Sequence, residues 1–252
     1  MRLIVNADDF GRTRAVSAGV VRAHREGIVT ATTLMVNAPD TDGAAGLARA
    51  LATLDVGVHL VLTFGRPLTD ASRIRSLVDA EGRFLRPNAL LAREIDRDEA
   101  LLEYRAQFAK AQGLIGRRPS HLDSHHWVHD QPSLEWAVGE LARETGAAAR
   151  IHDDAQRDRL RARGVRTPDR FVREFQHPGH IGVAELLAIL ERLAPSEGVA
   201  ELMCHPGEND PQLRRESAYA RERETELATL TDPRVRAAIE RLDISLVTFA
   251  AL

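Results

Sequence analysis

Long apolar runs are the first thing this 252-residue chain lacks. No stretch approaches the roughly 20 apolar residues that a membrane-spanning helix needs. The opening "MRLIVNADDFG" is too short an apolar run for a signal peptide. Cysteine is nearly absent: Cys204 alone rules out an internal disulfide and fits a reducing compartment. A cytoplasmic protein without a membrane partner is the expectation. Lysine is reduced to Lys110, and acidic residues are interspersed among the arginines that replace it. With a formal charge of −3, that mixture argues against a nucleic-acid partner. No G-x-G-x-x-G fingerprint follows the first apolar run, where "ADDFGRT" stands instead, so a dinucleotide fold is not indicated. Repeats, low-complexity tracts and linkers are missing too, which leaves one domain over residues 1–252.

What is present is alternation. Short β-rich runs fall at Leu3–Asn6, Thr32–Val36, Val56–Leu60, Ser120–Asp123, Ala148–Ile151, Phe171–Phe175, Glu201–Cys204 and Ser245–Phe249. Between them, Thr13–Glu26 spaces Ala15, Val16, Gly19, Val20 and Ala23 at helical intervals, with Gly27 placed as a C-cap. Asp98–Gln112, Pro132–Thr145, Val183–Leu193 and Val235–Leu242 read as helices as well, Pro132 suiting a first turn. Strand–helix alternation implies parallel strands with helical crossovers. About eight strands in a chain of this length fit an α/β fold of the (β/α) TIM-like barrel type. The segment Thr63–Arg97 has no strong period; it reads as a lid, a small hairpin around "DAEGRFLRP", or a surface excursion.

The unusual polar residues fall at predicted strand ends. Asp8 and Asp9 close the first strand, His59 the third, "HLDSHHWVH" the fourth and His205 the seventh. In a (β/α) barrel those ends share the face that carries active sites. Each residue has a plain alternative: a core histidine, turn aspartates, an exposed histidine tract, a turn-entry histidine. Four such coincidences on one rim weigh toward metal-centred catalysis.

Spacing narrows the roles. His121 and His125 lie about 13 Å apart along an extended strand, too far to share one ion unless the chain turns between them. His125, at the rim, is therefore the candidate ligand. His121 is expected deeper, with Asp123 as a hydrogen-bond partner behind the site. His126 and His129 are expected as substrate contacts or plain surface. One carboxylate with two imidazoles leaves coordination positions open, as a catalytic metal requires. Of Asp8 and Asp9, one can bind the cation while the other takes a proton from water, and His205 can protonate a leaving group. A Cys204–His205 nucleophile pair is discounted, because consecutive strand residues face opposite sides.

With these residues assembled, the chain resembles the YdjC-like carbohydrate deacetylases, the family of chitooligosaccharide deacetylase. The resemblance runs through "VNADDFG", "REGIVTATTLMVN", "VGVHLVLTFGRPL", "PSHLDSHHWVH", "ELMCHPG" and "ESAYARERETELATL". It implies a distorted (β/α) barrel, one divalent metal ion, and removal of an N-acetyl group from an amino sugar or short chitin-derived oligosaccharide. It also implies Asp9, His59 and His125 as metal ligands, Asp8 as catalytic base and His205 as proton donor. Mg²⁺ or Zn²⁺ is expected, and Mn²⁺, Co²⁺ and Fe²⁺ suit the same donors. Where the family often shows three consecutive histidines, this chain has His125-His126-Trp127. Trp127 reads equally as a sugar-stacking face or as rim packing. Arg150 reads either as a group that orients Asp8 or a substrate oxygen, or as a surface arginine. Two rivals stand: a non-haem metal oxygenase using a 2-His-1-carboxylate site, and a non-catalytic glycan-binding barrel. A homodimer is expected only from the base rate among oligomers.

Overall fold

Period-2 patterning decides where everything sits in this molecule. The computed structural model describes residues 1–211 and 213–252. Its strands are β1 Arg2–Phe10, β2 Ala31–Leu34, β3 Asp55–Leu60, β4 His121–Ser124, β5 Ala148–Ala149, β6 Arg170–Val172, β7 Val199–Cys204 and β8 Ser245–Leu246. The helices are α1 Arg14–Glu26, α2 Thr41–Ala50, α3 Pro87–Leu91, α4 Arg97–Ile115, α5 Pro132–Thr145, α6 Asp154–Ala162, α7 Val183–Leu193, α8 Leu213–Glu216, α9 Arg221–Leu230 and α10 Pro233–Arg241. The ladders between strands are parallel, in the order β5-β4-β3-β2-β1-β7-β6, with β8 paired to the start of β1. This sheet curls into an open, distorted (β/α) barrel with the helices outside. The edge strands β5 and β6 are shorter than the expected 148–151 and 171–175, each having a neighbour on one side only. Among the described residues no helix is long and apolar enough to cross a membrane.

Because β1 is buried from Leu3 onward, its two faces are separated by alternation alone. Leu3, Val5 and Ala7 point outward into the main core beneath the helices. Ile4 points inward and, with Ala31, Ala148, Val199 and Phe249, forms an apolar floor inside the barrel. Phe249 was expected to end the eighth strand; it turns instead in a 3₁₀ turn, Phe249–Ala251, and plugs that floor. The next inward layer is polar. His121 stacks on Phe249 with ring centroids 3.6 Å apart and planes 7° apart. Its Nδ1 accepts from Ser120 Oγ at 2.7 Å and its Nε2 donates to Asn6 Oδ1 at 2.9 Å. Gly57 makes the room: a Cβ there would stand 2.4 Å from the His121 carbonyl oxygen.

Local signals explain the helix ends. Thr13 caps α1 through the Val16 N–H, and Pro132 opens α5. Gly27 does follow α1, but with φ −116° it is not a left-handed cap. It is glycine because a Cβ would lie 2.4 Å from the Leu230 carbonyl oxygen. Five helices stand where none was expected: α2, α3, α6, α8 and α9. Within 63–97, an antiparallel bridge between Val78 and Phe84 makes the hairpin reading correct, and the segment walls a cleft over the barrel mouth.

Candidate metal centre

β1 ends in a bulge. Its register with β2 shifts between Ala7 and Phe10, and Asp9 takes a left-handed φ of 65°. Strict alternation would point Asp8 into the barrel and Asp9 away from it. The bulge turns both carboxylates to the same rim, at a local backbone cost of about 1–3 kcal/mol.

Three donor atoms converge beside that bulge. Asp9 Oδ1 lies 3.2 Å from His59 Nε2 and 3.0 Å from His125 Nδ1, and the two imidazole nitrogens are 3.2 Å apart. The His59 ring is oriented from behind, since its Nδ1 donates to Asp123 Oδ1 at 2.7 Å, and that leaves Nε2 as the nitrogen facing Asp9 and His125. Asp9 Oδ1 is buried without a hydrogen bond. A four-coordinate cation with arms of about 2.0–2.1 Å spaces its ligands about 3.3 Å apart, close to what these atoms show. The donor set therefore fits a divalent metal. His125 reaches this position because β4 stops at Ser124 and the chain turns, with His126 at φ 61° and Trp127 at φ 57°.

The charges keep Asp9 ionised and His125 neutral, as ligation of a cation needs. Burial opposes ionisation of Asp9, yet Arg223 and then His125 hold it well below the usual carboxylate range. Burial also disfavours a charged His59, but Asp123 and Asp9 outweigh it and push the imidazole up to about 10, so a cation at Nε2 would have to displace a proton. His125 is lowered, chiefly by burial, and stays neutral.

Directly beneath, Arg150 gathers three acids. Its Nη1 and Nη2 donate to Asp8 at 2.6 and 2.7 Å, its Nε donates to Glu201 at 2.7 Å, and Nη1 lies 3.1 Å from Asp123 Oδ2. Of the two readings of Arg150, the surface arginine is wrong: the side chain is fully buried and clamps Asp8. Against the penalty of burial, Arg150 holds Asp8 down to about 2. Glu201 goes the other way: burial outweighs Arg150 and raises it to about 7.

His205 approaches from the end of β7, with Nε2 3.9 Å from Asp8 Oδ2. Its backbone N–H donates to Glu226, which also receives the Tyr219 hydroxyl, and its Nδ1 lies 3.7 Å from Glu226 Oε1. Arg223, one turn before Glu226 on α9, donates to Asp9 Oδ2. Sequence reasoning did not assign Tyr219, Arg223, Glu226 or Glu201. The first three were visible within "ESAYARERETELATL" as polar residues at helical spacing, and Glu201 as an acid inside an apolar strand.

The remaining histidines divide. His121 is in the barrel interior, away from the ligand triangle, and burial pushes it well below its usual range. His129 is buried against Ser124 and His152, so the expectation of surface or substrate contact fails for it. His126 is exposed at the cleft and bonded to Thr63 Oγ1 at 2.9 Å. Cys204 Sγ faces the Asn6 carbonyl oxygen, its thiol pushed well up by burial, which disposes of the Cys–His pair.

A family model described as YdjC-like protein matches residues 2–241. The chain belongs to that family. It is 38% identical over 249 residues to a carbohydrate deacetylase of Clostridium beijerinckii, with 99% of each chain covered. It is also 38% identical over 253 residues to a chitooligosaccharide deacetylase of Yersinia pestis, covering 98% of this chain and 97% of that one. Among solved structures, an Enterococcus faecalis protein whose name proposes cellobiose-phosphate cleavage matches this YdjC-like chain with a TM-score of 0.92 and 36% identity. That match covers 99% of this chain and 97% of the other. The matched residues of the YdjC-like family take in β1 to β7 and every residue of the converging cluster.

Proposed function

We propose that this protein is a divalent-metal-dependent hydrolase that removes the N-acetyl group from an amino sugar or a short N-acetylated oligosaccharide. The observation that carries the reading is the convergence of Asp9 Oδ1, His59 Nε2 and His125 Nδ1, flanked by Asp8 and His205, in a chain whose relatives are named carbohydrate deacetylases. Asp9, His59 and His125 would hold the ion. When bound, the cation supplies polarisation of the amide carbonyl and lowers the pKa of water in its own shell. Mixed oxygen and imidazole donors suit Zn²⁺, Mn²⁺, Co²⁺ or Fe²⁺, and Mg²⁺ with more water.

The protein's own groups do the rest. Asp8 Oδ2 accepts a proton from the attacking water. Because Arg150 keeps Asp8 so acidic, it is a weak base on its own and needs a nucleophile that is itself made acidic. Asp123 fixes the His59 ring, and Arg223 fixes Asp9. His205 Nε2 gives a proton to the departing nitrogen as the amide C–N bond breaks, releasing acetate and a free amine; Glu226 and Tyr219 hold its ring in place. Asp8→Asn and His205→Ala should each lower acetate release by about 10²–10⁴-fold with the fold intact by circular dichroism. If both variants released acetate at the wild-type rate, these roles would be wrong. Release that persisted after complete removal and exclusion of divalent ions would overturn the metal.

A further inference from the structure

The cleft over the barrel mouth encloses about 1420 Å³, more than the upper end of about 1,000 Å³ usual for a small-molecule pocket and well beyond one acetamido sugar. Aromatic residues are scarce in this chain, with 2 Trp, 2 Tyr and 7 Phe, yet Phe64, Phe84, Trp127 and Tyr219 all border that space. Strain is concentrated there as well. Of the five non-glycine residues with left-handed φ among those described, Asp9, His126, Trp127 and His177 border the cleft. Such strain persists only where the surroundings over-determine it, and it clusters at ligand sites.

Trp127 is the best supported of these. Its backbone, at φ 57° and ψ 24°, follows His126 at φ 61°, so two strained residues in succession present this one side chain. Phe171 meets the indole edge-on at 6.4 Å, His152 lies at 6.0 Å, and the Arg173 guanidinium carbon sits 5.3 Å from the ring. Three neighbours therefore fix the ring, and the part left uncovered borders the cleft. The turn that brings His125 to the rim thus also carries the indole to the cleft. A fixed, amphipathic ring loses little conformational freedom when a ligand lies on it. Only one residue separates Trp127 from His125, a reach of about 7 Å at most. A sugar stacked on Trp127 is thus next to one whose acetamide is at the ligand triangle.

We propose that Trp127 is the stacking platform for the apolar face of a second pyranose ring, which makes N-acetylated oligosaccharides of two or more units the preferred substrates over the monosaccharide. The proposal rests on the deacetylase reading for its reaction, but not for its binding step. The probes are N-acetylglucosamine and its β-1,4-linked disaccharide. Acetate release is measured for the metal-loaded wild type, Trp127→Ala and Trp127→Phe, together with tryptophan emission in a Trp136→Phe background that leaves Trp127 as the only indole.

Trp127→Ala should lower the ratio of kcat/KM for disaccharide over monosaccharide by about tenfold, mostly through KM, as loss of about 50 Å² of apolar contact implies. Trp127→Phe should restore most of that ratio, and the disaccharide should change Trp127 emission. A ratio unmoved by Trp127→Ala, or emission unmoved by the disaccharide, overturns the platform. An emission change without acetate release from either sugar would keep the platform and remove the deacetylase. Acetate release with an unmoved ratio would do the reverse.

Discussion

Asp8 and Asp9 are neighbours in the chain and opposites in their surroundings. Asp8 belongs to a buried layer in which Arg150 answers Asp8, Asp123 and Glu201 with hydrogen bonds and close charge. Asp9 belongs to the rim, where a carboxylate oxygen and imidazole nitrogens face one another at 3.0–3.2 Å and the oxygen has no hydrogen bond. The same residue type is satisfied in one layer and left with open valence in the next. A buried layer of compensated charge positions; a rim of converging oxygen and nitrogen donors is what the proposed cation would need.

The largest effect expected from breaking that contrast lies at the rim. His59→Ala removes one corner of the triangle and should lower acetate release by about 10³-fold or more, with a matching loss of divalent-ion affinity by calorimetry. Its thermal midpoint should move much less than that of any change to Arg150. An equal loss of stability would mean that the rim is structural after all.

Next comes Arg150→Met. It leaves Asp8, Asp123 and Glu201 buried together without their shared cation, and breaking such a cluster costs about 3–5 kcal/mol. Urea unfolding should show a lower midpoint at an unchanged slope. Wild-type stability in this variant would show that the buried layer does not tie the β5 edge to β7 and β1 across the barrel, as Arg150 does through Glu201 and Asp8.

Much of this contrast could be read from the residues. All eight strands were legible because apolar outward positions alternate with Ile4, Asn6 and Asp8, or with Gly57 and His59, facing inward. The strand-end position of His59, His125 and His205 then followed from the barrel. The bulge did not, since residue types say nothing of the φ of 65° at Asp9, and without it alternation would have sent Asp9 the wrong way. Helix α2 was hidden by Gly43 and Gly46, which weaken a helical pattern. Helix α9 was hidden because its buried face carries Arg223 and Glu226, so it reads as a surface helix. Those two residues reach the site only because the helix packs polar side inward.

The smallest effect isolates the acid that the buried layer leaves least satisfied. Glu201 is raised from 4.5 to about 7, mainly by burial, and its Oε2 has no hydrogen bond. A carboxyl whose folded pKa is raised binds more protons in the folded state than in the unfolded one between those two values. Stability must then fall as pH rises from about 4.5 to about 7, by about 3 kcal/mol at most. Glu201→Gln removes the linkage, so its unfolding free energy should be flatter than wild type across that window, whatever its absolute value. Parallel curves for the two proteins from pH 4.5 to 8 would place the carboxylate's ionisation outside the window and make Arg150 a full match for all three acids. A flatter curve for Glu201→Gln would instead mean that Arg150 is committed to Asp8, and that Glu201 gives up its charge so that Asp8 can keep its own.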